Sequence, residues 1–180
     1  MPREFRSFRV EAIVLKHTNW GEADRIITIF TRQRGKLRAI AKGVRKIRSR
    51  RAGHLEPFTR VTLQLAKSRD MPIVTQAETI NPHIPLREDL VSIGRASYMV
   101  ELLDKFTYEE GENFSLFNLL ANTLDRLVNP AHDPRVVLRY YEIRLLDYVG
   151  FRPELFQCVA CGEDIQPQDQ YFSASEGGVL

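Results

Sequence analysis

Residues 24–42 read DRIITIFTRQRGKLRAIAK. The first part, residues 24–31, is β-branched and aromatic, the composition of a strand. Arg34-Gly35 is a turn signal. Residues 36–42 then alternate, with Leu37, Ala39 and Ala41 on one face and Lys36, Arg38 and Lys42 on the other. A pleated strand therefore buries the first set and sets three cations on one exposed surface.

The same period of two extends outward in both directions. Residues 8–15 place Val10, Ala12 and Val14 opposite Arg9 and Glu11, and Trp20-Gly21-Glu22 breaks that strand. After Gly43, residues 45–51 (RKIRSRR) are too charged for a core element and read as a flexible basic loop. Residues 58–66 alternate Val61, Leu63 and Leu65 with Arg60, Thr62 and Gln64; residues 71–79 form a fifth strand entered through Pro72. Five short strands with no helical pattern between them predict a small closed barrel. An SH3-like barrel and an OB-fold both fit, the latter being a five-stranded Greek-key barrel that binds oligonucleotides.

Asn81-Pro82-His83-Ile84-Pro85 marks a boundary, because two prolines restrict the backbone and halt strand pairing. Apolar spacings of three and four then predict helices over 86–107 and 114–128. Asp133-Pro134 is an N-cap followed by proline at the first helical position, opening a third helix that runs to about residue 149, with Gly150 at its C-cap. Its apolar residues Val137, Leu138, Tyr141, Leu145 and Tyr148 are flanked by Val136, Tyr140 and Ile143. That wide coverage predicts a central place in a helical bundle. The expected fold class is α+β multidomain: an N-terminal five-stranded barrel of the OB type over residues 1–80, an α-helical bundle over 81–150, and a partial zinc-finger segment over 151–180.

Charge divides along the same boundary. The whole chain carries only +3, but residues 1–79 hold 18 Lys and Arg against 7 Asp and Glu, and residues 80–180 hold 8 against 16. The excess concentrates in residues 32–51, where ten of twenty are basic. No acid lies between Asp24 and Glu56. Such a run calls for a polyanion, so Arg32, Arg34, Lys36, Arg38, Lys42, Arg45, Lys46, Arg48, Arg50 and Arg51 are candidate nucleic-acid contacts. Phe30, Phe58 and Trp20 are candidate stacking rings, with a core role favoured for the two on predicted strands. The acidic half would repel nucleic acid and suits protein partners. Glu109, Glu110 and Glu112 form an acidic run in a loop, read as solvated.

The two cysteines, Cys158 and Cys161, sit as CxxC followed by Gly162. Zinc takes four ligands in a closed site and this pair supplies two. Half a zinc site and two free thiols stand level on the residues alone; a thioredoxin-like reading lacks its βαβ setting. No HExxH, GxSxG or GxxxxGK[ST] motif is present, so no enzyme is indicated. No apolar run approaches membrane-spanning length and the N-terminus has no apolar signal core, which points to the cytoplasm and away from a membrane partner.

The segments EAIVLKHTNWGEADRIITIFTRQRGKLRAIAKGVRK (11–46), LEPFTRVTLQL (55–65) and GFRPELFQCVACG (150–162) resemble the RecO family of bacterial recombination mediators. The resemblance implies an OB-fold, a helical middle domain and a zinc finger. It implies binding of single- and double-stranded DNA, strand annealing, and partnership with RecR and the single-strand-binding protein in recombinational repair at the nucleoid. It also implies a second cysteine pair after a Gly-Gly turn, so the chain reads as a fragment ending where that pair would begin, with Cys158 and Cys161 as two of four Zn2+ ligands. Two readings of other classes remain: an RNA-binding accessory factor, and an enzyme shuttling electrons through the cysteines.

Overall fold

The computed structural model describes residues 7–108, 111 and 113–180; the acidic-run residues Glu109, Glu110 and Glu112 lie outside them. Five strands, β1 (Ser7–Trp20), β2 (Asp24–Thr31), β3 (Gly35–Ala41), β4 (Arg60–Ala66) and β5 (Ile73–Asn81), close into a barrel in the order β1-β2-β3-β5-β4. All ladders are antiparallel except β3–β5, which is parallel and rests on one residue pair, Ile40 opposite Ile73. The alternation explains the interior: Val10, Ala12, Val14, Ile27, Ile29, Ala39, Val61, Leu63 and Leu65 all point inward and are buried.

β1 is longer than its hydrophobic pattern. A bulge between Val14 and Lys16 re-registers the strand, and the polar run from Lys16 to Trp20 continues it by pairing with Thr28 to Asp24. Trp20 therefore ends a strand rather than breaking one. Phe58 lies outside β4, which starts at Arg60, and its φ is +68°. Its N–H donates to the Val14 carbonyl (2.8 Å), and its own carbonyl accepts from Nδ1 of His83 (2.8 Å). These contacts hold a backbone conformation that a bulky residue rarely adopts.

Three helices follow: α1 (Leu90–Phe106), α2 (Phe114–Val128) and α3 (Pro134–Tyr148). Each starts at a side-chain cap, Asp89, Asn113 and Asp133 respectively, accepting from backbone N–H groups of the first turn. The residues before Leu90 form a short 3-10 turn, Ile84–Arg87, so the first helix is shorter than its apolar spacing suggests. The outer face of the barrel supplies Ile13, Leu15, Phe30 and Phe58 to a second core, shared with Met99, Leu103, Phe117, Leu120, Tyr141 and Leu145 of the helices.

The expected central place of α3 is not what the helix takes. It buries one stripe, Val137, Tyr141 and Leu145, whereas Val136, Tyr140, Ile143 and Tyr148 are exposed. The apolar residues flanking the stripe project past the width that α1 and α2 cover. Residues after α3 are loop-rich, with two two-residue strands, β6 (Phe172–Ser173) and β7 (Gly178–Val179).

Candidate nucleic-acid interface

The ten cations of residues 32–51 do not form one patch, because β3 separates them. Its length puts the β2–β3 turn and the loop after β3 on the order of 20 Å apart. At the turn, the Arg34 guanidinium lies 4.2 Å from the centre of the Phe8 ring. Arg32 pairs with Glu11 (3.3 Å) and sits over Phe114 at 6.0 Å.

Lys36 is not an exposed member of the strand face. Its side chain is 12% exposed, and Nζ donates to the carbonyls of Asp104 (2.7 Å) and Thr107 (2.6 Å) beside the Asp104 carboxylate. Lys16 joins the same carboxylate from β1 at 2.5 Å. Burial pushes the Asp104 carboxyl up, but hydrogen bonds from Lys16 and Lys36 outweigh burial and hold it below its ordinary value. Lys36 thus fastens the barrel to the C-terminal end of α1.

Arg51 has an equally structural position. Its guanidinium donates to the carbonyls of Val74 (2.5 Å) and Lys42 (2.7 Å), spanning from the basic loop to β5. The loop itself is a set of defined turns, against the expectation of a flexible segment. Val44 is buried in the barrel core; Lys46 N–H donates to Gly43 and Ser49 N–H to Lys46; the Arg45 N–H donates to Ala23 at 2.9 Å.

The remaining cations face solvent. Lys42, Lys46, Arg48 and Arg50, with Arg51 at the base, line an open groove of about 810 Å³ against Glu22, Ala23 and Asp24 of the β1–β2 turn. Asp24 is committed within the fold, its Oδ1 accepting from the Gly43 N–H at 2.7 Å. Arg45 is exposed and reaches the Gly21 carbonyl at 3.3 Å.

An outer strip leads towards this groove across β1, β2 and β3, polar at its first rung and with apolar Ile26 and Ile40 at its second. Register places Lys16 beside Thr28 and Thr28 beside Arg38, then Thr18 beside Ile26 and Ile26 beside Ile40, then Trp20 beside Asp24. A hollow of about 280 Å³ lies over its first part, lined by Lys16, Thr18, Ile26, Thr28, Lys36, Arg38 and Asp104. Trp20 is 56% exposed at the groove end, while Phe30 and Phe58 are buried as core. Lys16, Thr18 and Thr28 were not among the sequence candidates. The alternation of β2 sets Thr28 opposite the inward Ile27 and Ile29, but Lys16 and Thr18 share the parity of the inward Val10, Ala12 and Val14 and reach the outer face only through the bulge. A separate, apolar-floored cleft of about 620 Å³ lies between the barrel and α1, lined by Leu15, Pro57, Phe58, Ile93 and Val100 among others.

The cysteine pair forms a tight knuckle. Gly162 N–H donates to the Cys158 carbonyl at 2.8 Å, and Gly162 takes φ +78°. Backbone N–H groups of Cys161 and Ala160 point at the Cys158 sulfur and lower its thiol pKa. A loop that stabilises a thiolate fits a metal ligand, yet two sulfurs do not complete a tetrahedral site. Among the described residues no group of three or more His, Cys, Asp or Glu side chains could hold a metal. Among them, too, no helix is long and apolar enough to cross a membrane.

Two family models match the chain, one after the other. Residues 5–83 match the family model "Recombination protein O N terminal", and residues 87–180 match "Recombination protein O C terminal". The chain is similar to the DNA repair protein RecO of Roseiflexus sp. (strain RS-1), with 43% identity over 97% of this chain and 61% of the relative. It is 39% identical to the DNA repair protein RecO of Bifidobacterium longum (strain DJO10A), over 96% of this chain and 72% of that protein. The Nocardioides protein of the same name is 42% identical, again over 96% and 72%. The chain thus spans 61% of the length of the first of these relatives and 72% of the other two.

Proposed function

The chain belongs to the RecO family of DNA repair proteins, and on that premise we propose that it is a DNA-binding recombination mediator. Its barrel, read as an OB-fold, binds single- and double-stranded DNA and promotes annealing of complementary strands. The observation that carries this reading is the continuity of the outer strip, from Lys16 and Arg38 past Trp20 into the groove of Lys42, Lys46, Arg48 and Arg50.

Two DNA strands repel each other, and annealing needs no covalent step. Cations that displace counterions from both backbones lower the encounter barrier, and base pairing supplies the free energy. Trp20 offers a ring for a base to stack on. Lys36 and Arg51 take no direct part, being committed to backbone carbonyls. The acidic helical half docks protein partners, RecR for recombinase loading and the single-strand-binding protein, in the bacterial cytoplasm at the nucleoid. Zn2+ supplies a structural cross-link when bound, with Cys158 and Cys161 as two of its ligands; the backbone N–H groups that lower the Cys158 thiol pKa support that assignment.

Reversing the charge of Lys46, Arg48 and Arg50 together abolishes DNA binding at moderate salt in a filter-binding titration. Unchanged affinity overturns the reading. Competition between DNA and RNA oligomers of equal length separates it from an RNA-binding role: tighter RNA binding favours the latter.

A further inference from the structure

Ile47 is 106% exposed, the most exposed of the large apolar side chains among the described residues. A lone surface isoleucine ordinarily needs no explanation. This one differs in its placing. It is the second residue of the turn closed by Ser49 N–H to the Lys46 carbonyl (2.8 Å), the outermost corner of that turn. Exposed Arg45, Lys46, Arg48 and Arg50 surround it in sequence. The turn is also fixed in space. Val44 is buried on one side, Arg51 bridges to Val74 and Lys42 on the other, and Arg45 is bonded to the β1–β2 turn next to Trp20. A stiff, β-branched side chain is therefore held outward between Lys46 and Arg48, which line the cationic groove beside it.

Basic residues that grip a phosphate backbone around a projecting apolar side chain are the arrangement by which proteins unstack bases. We propose that Ile47 is such a wedge: the groove cations hold the sugar–phosphate backbone, and Ile47 enters between adjacent bases and separates them. The inference rests on the groove being a DNA site. It adds a mechanical role, since a strand whose bases are pried from their own stack offers their edges to a complementary strand. The preformed turn means that little ordering is needed on binding.

The test uses an oligonucleotide carrying 2-aminopurine between adenines, whose fluorescence rises when stacking is lost. Binding of the unaltered chain raises the signal. At saturation Ile47→Ala loses that rise, while the slope of log affinity against log salt stays the same, because every phosphate-binding cation is kept. Ile47→Phe retains the rise. The side chain supports no packing, so these variants fold. An equal rise with Ile47→Ala overturns the wedge and leaves the groove reading standing. If the unaltered chain does not bind the oligonucleotide at low salt, the groove reading falls and the wedge with it. A basic tip with an apolar point could also enter an anionic bilayer. Co-sedimentation with phosphatidylserine–phosphatidylcholine vesicles that Ile47→Ala abolishes, with the fluorescence rise intact, overturns the wedge in favour of a lipid contact.

Discussion

Lys36 of β3 and Asp104 of α1 are paired across the junction of barrel and helices, Nζ lying 3.1 Å from Oδ1 while also donating to the Asp104 and Thr107 carbonyls. A cation from the most basic stretch of the chain is thereby committed to holding two parts of the fold together. The carboxylate it meets has a lowered pKa despite burial, so protonation weakens the junction.

A carboxyl whose folded pKa lies below its unfolded one stabilises the fold above the unfolded value, near pH 4, and loses that contribution as pH falls through the folded value. Urea unfolding of Asp104→Asn is expected to show a loss of about 2 kcal/mol at neutral pH. The difference from the unaltered chain shrinks below about pH 4. A constant difference down to pH 2 removes Asp104 from the account.

Gly35 is constrained twice. Its φ is +62°, and a Cβ there would run into the carbonyl of Gly111. Gly21 has a similar φ of +56° but open space around it. Gly21→Ala should therefore cost about 1 kcal/mol, the left-handed penalty alone, and Gly35→Ala distinctly more. Denaturation midpoints that coincide for the two variants contradict the close approach.

Arg51 and Arg48 are neighbours in the same basic run and should respond oppositely. Arg51→Ala removes the bridge to Val74 and Lys42 and lowers barrel stability by about 1–2 kcal/mol. Arg48→Ala leaves stability within about 0.5 kcal/mol. It instead reduces the salt slope of duplex binding by about 0.9 for each phosphate that is no longer neutralised. Thermal melting and a salt titration of fluorescence anisotropy, run on both variants, distinguish the roles.

The cysteines should differ in reactivity. Cys161 is the more exposed, but the backbone N–H groups around Cys158 favour its thiolate. Iodoacetamide near neutral pH is therefore expected to label Cys158 first, as read by peptide mass spectrometry. Faster labelling of Cys161 would mean that access outweighs the backbone effect.

Much of the fold was legible because its signals are local. Val61, Leu63 and Leu65 alternate in sequence and are all fully buried, and the Asp133-Pro134 cap opens α3 at that site. What escaped depended on distant partners. Lys36 and Arg38 look alike along β3, and only Asp104, sixty-eight residues away, turns one of them into a fastener. Arg51 resembles the arginines before it until β5 brings the Val74 carbonyl to it. The bulge before Lys16 hid the second half of β1, because it shifts the alternation and the run from Lys16 to Asn19 is polar. The apolar width of α3 overstated its burial, since sequence shows which residues could be covered and not how many neighbours arrive.

The basic loop is tethered at both ends, Val44 inside the barrel and Arg51 over the thin β3–β5 contact. Between these two anchors Arg45 reaches the β1–β2 turn, while the exposed side chains of Lys46, Ile47, Arg48 and Arg50 point away from the core. Substitutions from Lys46 to Arg50 can therefore accumulate under selection for ligand preference alone. A lineage can retune what this surface grips, residue by residue, without re-evolving the barrel that carries it.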